Sequence, residues 1–346
     1  MMLKVIKLNS RTPSSGKQLM TLGALIIGGI ILLLLGVFFS ITVGAADIRI
    51  STVFQAIFNY QLVKDHMILW ELRLPRTLVG IFIGANLAVA GAIMQGMTRN
   101  PLASPQVFGI NAGASLIVVA GVVFFPSLPY TQLILLAFIG AAFGGVAVYA
   151  LSRSDGGMSP VKLALGGMAL HMFLSSITEG IIMFHEHSTA SVLYWLAGGI
   201  DGRDWTHVRI LFPWTVIGLI AALFLARSLT MLNLGEDVAK GLGQNNRRVY
   251  FFAGLTVILL AGASVAVAGP IGFVGLIIPH IVRSLVGVDY RVVIPFSALF
   301  GALLLTYADV ASRFIAYPFD SPVGIVTAFI GAPFFLYLAR QGGRLK

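Results

Sequence analysis

Few side chains in this sequence can do more than pack, and those few stand out against apolar surroundings. Glu179, Asp309 and His171 lie inside stretches that are otherwise hydrophobic. Ionisable groups at membrane depth default to a functional role, such as a proton relay or an ion site. The alternative is a satisfied interhelical hydrogen bond near a helix end. The run His185, Glu186, His187 offers two imidazoles and a carboxylate of the kind that binds zinc or iron. Alternate residues on a loop are more often solvated, and no metal site is expected. Arg73 and Arg76 flank Pro75, a residue suited to a helix start, and three-residue spacing puts the two guanidinium groups on one face. Catalytic apparatus is missing. "SSGKQ" at 14–18 lacks both the upstream Gly and the Ser/Thr after Lys17 that a P-loop needs. There is no HExxH and no GxSxG elbow. There is no cysteine, which removes thiolate nucleophiles, disulfides and iron–sulfur ligation together. The expected role is non-catalytic, without a cofactor.

The elements that position these residues follow from composition. Of 346 residues, 58% are hydrophobic and 10% charged, where a soluble domain carries about 25% charged. Apolar windows long enough to cross a bilayer recur along the whole chain. Ten spanning segments are predicted, at 19–43, 75–97, 107–125, 130–151, 161–184, 207–231, 249–268, 271–287, 292–315 and 322–340. The expected fold is an all-α polytopic membrane protein: one transmembrane domain over 19–340, between short tails at 1–18 and 341–346. The basic N-terminus and long first apolar run favour an uncleaved first helix over a signal peptide. Pro213, Pro279 and Pro295, with many glycines, imply kinks or half-helices lining something. Glycine pairs one turn apart (Gly80/Gly84, Gly109/Gly113, Gly140/Gly144) permit close helix approach. "AVAGAI" at 88–93 and "AVAGPI" at 266–271 hint weakly at an inverted repeat.

Orientation follows from Lys and Arg. With a cytoplasmic N-terminus, sixteen fall on inner segments and seven on outer ones, which places both termini inside. The formal charge of +10 has this topological source, and no basic, aromatic-interleaved segment suggests nucleic acid. On the inner side, "MQGMTRNPLASPQVFG" (94–109) has two X-Pro steps, Asn100-Pro101 and Ser104-Pro105, that break a helix into a rigid, irregular constriction. Also inner is "LNLGEDVAKGLGQNNRR" (232–248), in which Gly235 and Gly243 bracket about two helical turns. Glu236 and Asp237 suit its first turn by the helix dipole, and Ala239 and Leu242 can form a small apolar face. On the outer side, 185–206 should hold a short surface helix capped by Ser188, with Tyr194 and Trp195 at the membrane interface.

Eight stretches in order resemble the permease subunits of the FecCD-type ABC importers for ferric siderophores, haem and cobalamin: "LRLPRTLVG" (72–80), "AGAIMQGMTRNPLASPQVFGINAGA" (90–114), "LALGGMAL" (163–170), "YWLAGG" (194–199), "GEDVAKGLG" (235–243), "GPIGFVGLIIPHIVR" (269–283), "LTYADVASR" (305–313) and "SPVGIVTAFIGAPFFLYL" (321–338). The resemblance implies a bacterial cytoplasmic membrane, a second permease (identical or paralogous), two separate ATPase subunits and an extracytoplasmic substrate-binding protein. By motif, Arg73, Arg76 and Arg313 would meet acidic residues of the binding protein. The gate would fall on Asn100, Pro101 and Leu102 with Ser159, Pro160 and Val161, the latter loop matching less well. Gly235, Glu236, Ala239, Leu242 and Gly243 would form the coupling helix that receives the ATPase. Ferric siderophore is the expected substrate. The rival reading is a proton-driven secondary transporter that uses Glu179, Asp309 and His171.

Overall fold

The computed structural model describes residues 15–44, 48–154, 157–158, 160–185, 189–315, 317 and 319–342. Each of the ten apolar segments coincides with a helix. The order is α1 (Ser15–Thr42), α2 (Ile50–Phe58), α3 (Lys64–Met67), α4 (Leu74–Thr98), α5 (Ile110–Phe124), α6 (Tyr130–Leu151), α7 (Pro160–Met183), α8 (Thr189–Leu196), α9 (Trp205–Asn233), α10 (Glu236–Gly241), α11 (Asn246–Ala268), α12 (Val274–Val286), α13 (Tyr290–Ile315) and α14 (Val323–Gly342). The protein is a multi-pass, all-helical membrane protein; its one strand pair among the described residues is a two-residue ladder, Arg153–Ser154 against Gly157–Met158. Seven helices are long and apolar enough to cross a membrane, and α5, α12 and the apolar part of α14 are shorter.

The core is built around α4. Nearly all of its inner two-thirds is buried, from Ile83 to Met97, against α9, α11, α12 and α13. Small residues make this possible. A Cβ on Gly84 would lie 2.2 Å from the carbonyl oxygen of Gly301 in α13, and one on Gly91 1.9 Å from that of Gly275 in α12. Backbones therefore touch where any side chain would hold them apart. Two of the glycine pairs noted in the sequence, Gly109/Gly113 and Gly140/Gly144, meet across α5 and α6, where a Cβ on Gly113 would lie 2.1 Å from the Gly140 carbonyl oxygen. Polar bonds add to this packing: buried Asn86 of α4 donates to Thr215 Oγ1 of α9 at 2.9 Å, and Gln95 Nε2 donates to the Leu276 carbonyl of α12 at 3.2 Å.

Three features differ from the sequence expectation. The second span starts not at Pro75 but at Lys64, because a π-helical turn over Ile68–Arg73 joins α3 to α4 without a break. The wider turn accommodates the amide that proline lacks. Pro213, Pro279 and Pro295 sit inside continuous helices rather than splitting them. The amphipathic α2, too short to span, was not expected; it buries Val53 and Ala56 and accepts the Trp70 indole hydrogen on the Ala56 carbonyl at 2.9 Å. The "AVAG" likeness is one of composition: the first copy is wholly helical, whereas the second leaves α11 at Gly269, where φ is 71°.

Candidate functional site

Helix α7, long and apolar enough to cross a membrane, carries a polar face. Met168, His171, Ser175, Thr178, Glu179 and Ile182 recur every three or four residues, so they share one face. They form one wall of a cavity of about 460 Å3, whose other walls come from α5 (Asn111, Ser115), the loop after α4 (Ser104, Gln106), Leu196 and Pro270. Among the described residues, the lining holds one carboxylate and one imidazole, several hydroxyls and amides, and no Lys or Arg. His171 and Glu179 are both exposed into this space. Such a wall can hydrogen-bond a polar solute loosely but contains no cage to trap it. Where Leu196 and Pro270 lie, three of the quoted motifs meet. The Gly199 amide donates to Ala268 and the Gly324 amide to Gly198, each at 2.8 Å. Gly198 takes φ 73° and lies so near Pro270 that a Cβ would be 2.4 Å from its oxygen.

The irregular loop expected after α4 is present. Arg99 closes the helix in the left-handed region, with φ 50°. Asn100 then folds the chain back, its Oδ1 accepting from the Leu102 amide at 2.9 Å and its carbonyl from Ala103 at 3.1 Å. This Asx turn is what Asn before Pro favours. Asn100 and Pro101 are exposed, while Leu102 packs beside Leu276, Ile277 and Leu338. Of the second loop, Ser159 lies outside the described residues; Pro160 is the first residue of α7, and Val161 is exposed.

The charged passage between α9 and α11 folds as α10, six residues long, between Gly235 (φ 121°) and Gly243 (φ 83°). Ala239 is fully buried against the bundle, but Leu242 is 62% exposed, so the two do not share a face. The outward apolar row is instead Leu234, Val238 and Leu242, four residues apart. Asn246 Nδ2 donates to the Glu236 carbonyl at 3.0 Å, and Tyr250 Oη donates to Glu236 Oε1 at 2.7 Å, fastening α10 to α11.

The model of the FecCD transport family matches residues 32–341. The chain belongs to that family. It is 55% identical to the Fe(3+)-citrate import system permease protein YfmD of Bacillus subtilis, over 98% of this chain and 99% of that protein. It is 49% identical to the iron(3+)-hydroxamate import system permease protein FhuB of the same organism, over 94% of this chain and 85% of that protein. A solved inward-facing metal-chelate type ABC transporter superposes with a TM-score of 0.82 at 26% identity, covering 92% of this chain and 99% of that one.

At the other end of this FecCD-family chain, the arginines expected to face outward are held by the chain itself. Arg73 is 6% exposed and donates to the carbonyls of Ile41 and Thr42 at 2.7 Å each. Arg313, 5% exposed, donates to the carbonyls of Ser40 (2.7 Å) and Val43 (2.6 Å). Both cations thus sit at the C-terminus of α1, where four carbonyls lack helical partners and the dipole is negative. Asp309, 1% exposed, lies between Arg313 and Arg76, the latter at 2.8 Å, and Arg76 also pairs with Asp320. Sequence spacing showed that Arg73 and Arg76 share a face but not that the end of α1 returns to meet it. Asp309 is therefore in an ion cluster apart from the cavity that His171 and Glu179 line, and the three do not form one relay.

Of the His-Glu-His run only His185 is described; its Nδ1 lies 2.9 Å from the Ile181 carbonyl, and its ring meets Phe124 edge-on. Glu186, His187 and the cap position Ser188 lie outside the described residues. The surface helix itself is α8, and Tyr194 donates to Asp201 Oδ2 at 2.7 Å. Burial together with that carboxylate pushes the Tyr194 phenol well above its usual range. Asp204 caps α9, accepting from the amides of Thr206 (2.8 Å) and His207 (3.3 Å). Its partial burial opposes ionisation, yet hydrogen bonds from His207 and the two amides outweigh it and hold the carboxyl below its usual value.

Proposed function

We propose that this chain is one half of the transmembrane path of a binding-protein-dependent ABC importer for ferric siderophores. A second permease, identical or paralogous, completes the path, and separate ATPases drive it. One observation carries the path: α7 is a membrane-length helix that leaves Glu179 and His171 exposed. An acidic side chain against acyl chains costs about 2.5–3.5 kcal/mol, so water, substrate or another protein must cover that face. A cavity with hydroxyls, amides and few charges suits a bulky chelate selected elsewhere, by a soluble binding protein. The iron-chelate importers among its relatives support this substrate class.

The remaining assignments rest on the family resemblance, the Lys and Arg distribution and the surface chemistry together. The row Leu234, Val238 and Leu242 offers a short apolar ridge for an ATPase groove, and Ala239 seats α10 on the bundle behind it. Asn100, Pro101 and Leu102, with Ser159, Pro160 and Val161, form the inner gate, and both termini are cytoplasmic. Docking of the binding protein uses the arginine cluster. Arg76, with exposed Asp320 as one partner, is the member that an incoming carboxylate reaches by exchange. Arg73 and Arg313 anchor the α1 end beneath it. Charge of this kind governs approach and register more than affinity.

The test is uptake by cells carrying the whole transporter, using radioactive ferric citrate, a ferric trihydroxamate, haem and cobalamin. ATP-dependent uptake of a ferric chelate is the expected result. Uptake that an uncoupler abolishes while ATP depletion spares it would contradict the importer and favour a proton-driven carrier.

A further inference from the structure

Glu236 does two things that place it between the coupling segment and the gate. Its carbonyl and one carboxylate oxygen tie α10 to α11, through Asn246 and Tyr250. The same Oε1 also faces Arg99, whose Nη2 lies 3.4 Å away although the two residues are 137 positions apart. Arg99 is the last residue before the Asn100–Leu102 turn, and it holds the left-handed φ of 50°. No other bond between α10 and the end of α4 is present among the described residues. Just past α10, Gln244 Nε2 donates to Asn246 Oδ1 and the Ser228 carbonyl at 3.1 and 3.3 Å, and Asn246 in turn donates to the Glu236 carbonyl, so these bonds among the described residues fasten the segment to α9 and α11.

We propose that the Glu236–Arg99 pair is the link through which movement of α10 reaches the inner gate, with Glu236 acting as a positioning residue. This rests on the importer reading above. The two bonds of the carboxylate are unequal, and the inequality suits the task. Tyr250 at 2.7 Å is a fixed pivot on α11, whereas the arginine is longer and its side chain is 42% exposed. An exposed ion pair contributes little to stability, so it can break and re-form in each transport cycle without cost to the fold. What it transmits is direction: displacing Glu236 draws on Arg99, and the next residue is the Asn100 that shapes the gate turn. Left-handed backbone is strained for arginine, so the turn has a ready alternative state to enter when that pull is released.

The experiment uses the whole transporter, the chain with its partner permease, ATPase and binding protein, in liposomes with ATP inside. Transport of ferric citrate and of a ferric trihydroxamate is measured per ATP hydrolysed. Glu236→Gln keeps an acceptor for Tyr250 and removes the charge; Arg99→Gln removes the other. Each should lower transport per ATP by about fivefold or more while the melting temperature stays near wild type. The exchanged pair, Arg99→Glu with Glu236→Arg, should recover much of the lost ratio. If either single variant keeps the wild-type ratio, or if the exchanged pair is no better than the singles at unchanged melting temperature, the link is wrong. If the wild-type transporter moves neither chelate with ATP, the importer reading fails first and the link falls with it.

Discussion

Helices α1 and α7 are almost equally unburied by their own chain, with 17% and 22% of their spanning windows covered. Their chemistry differs. Among the seven long spans α1 is the most apolar and α7 the least. Lipid explains the first, since Ile27, Ile31 and Leu34 are content against acyl chains. It cannot explain the second, where a carboxylate, an imidazole and hydroxyls lie on the uncovered side. The difference teaches that exposure in an isolated membrane subunit has two meanings, and that polarity separates them. An apolar exposed helix faces the bilayer; a polar one faces a path or a partner.

The contrast can be broken at several points. The largest effect is expected where α1 is anchored. Asp309→Ala leaves Arg76 and Arg313 without their buried counter-charge, and loss of one partner of a buried pair costs about 3–5 kcal/mol. Thermal unfolding in detergent should show a loss of that size, with the end of α1 becoming accessible to protease. A single charge placed in each helix gives the next effect. Ile31→Glu should cost about 3 kcal/mol or fail to insert, whereas Ser175→Glu, on the cavity wall, should insert and fold near normally; expression and melting temperature read both. Equal losses would erase the distinction. The smallest effect concerns α9, the next least buried span at 28%. Asp204→Ala removes its cap, at about 1 kcal/mol. Because the folded Asp204 pKa is depressed, its contribution is full above the unfolded value of about 3.9 and is lost as pH falls through the folded one. The wild type and Asp204→Ala should therefore converge in stability in acid.

Much of this architecture was legible in the sequence, for a physical reason. A bilayer imposes length and apolarity on each segment separately, so the apolar helices could be read without knowing their partners. The same holds for α10, where Gly235 and Gly243 supply backbone conformations that other residues resist. Tertiary return was not legible. Arg73 and Arg313 read as outward cations because nothing local shows that α1 ends beside them. Ala239 and Leu242 read as one face because a short helix does not reveal which side meets the bundle. Asp309 was grouped with Glu179 and His171 by chemistry alone, and the fold separates them. The π-turn before Pro75 also escaped, since proline at a helix start is the commoner pattern.

The central claim is that the polar face of α7 lines the substrate path. The chain has no cysteine, so single replacements Ser175→Cys and Ile31→Cys can be probed with a charged, membrane-impermeant thiol reagent in the assembled transporter, with and without ferric chelate. The account predicts that Ser175→Cys reacts and is protected by chelate during transport, while Ile31→Cys does not react. A Ser175→Cys that is inert, or that reacts with no protection by a chelate being transported, would contradict it.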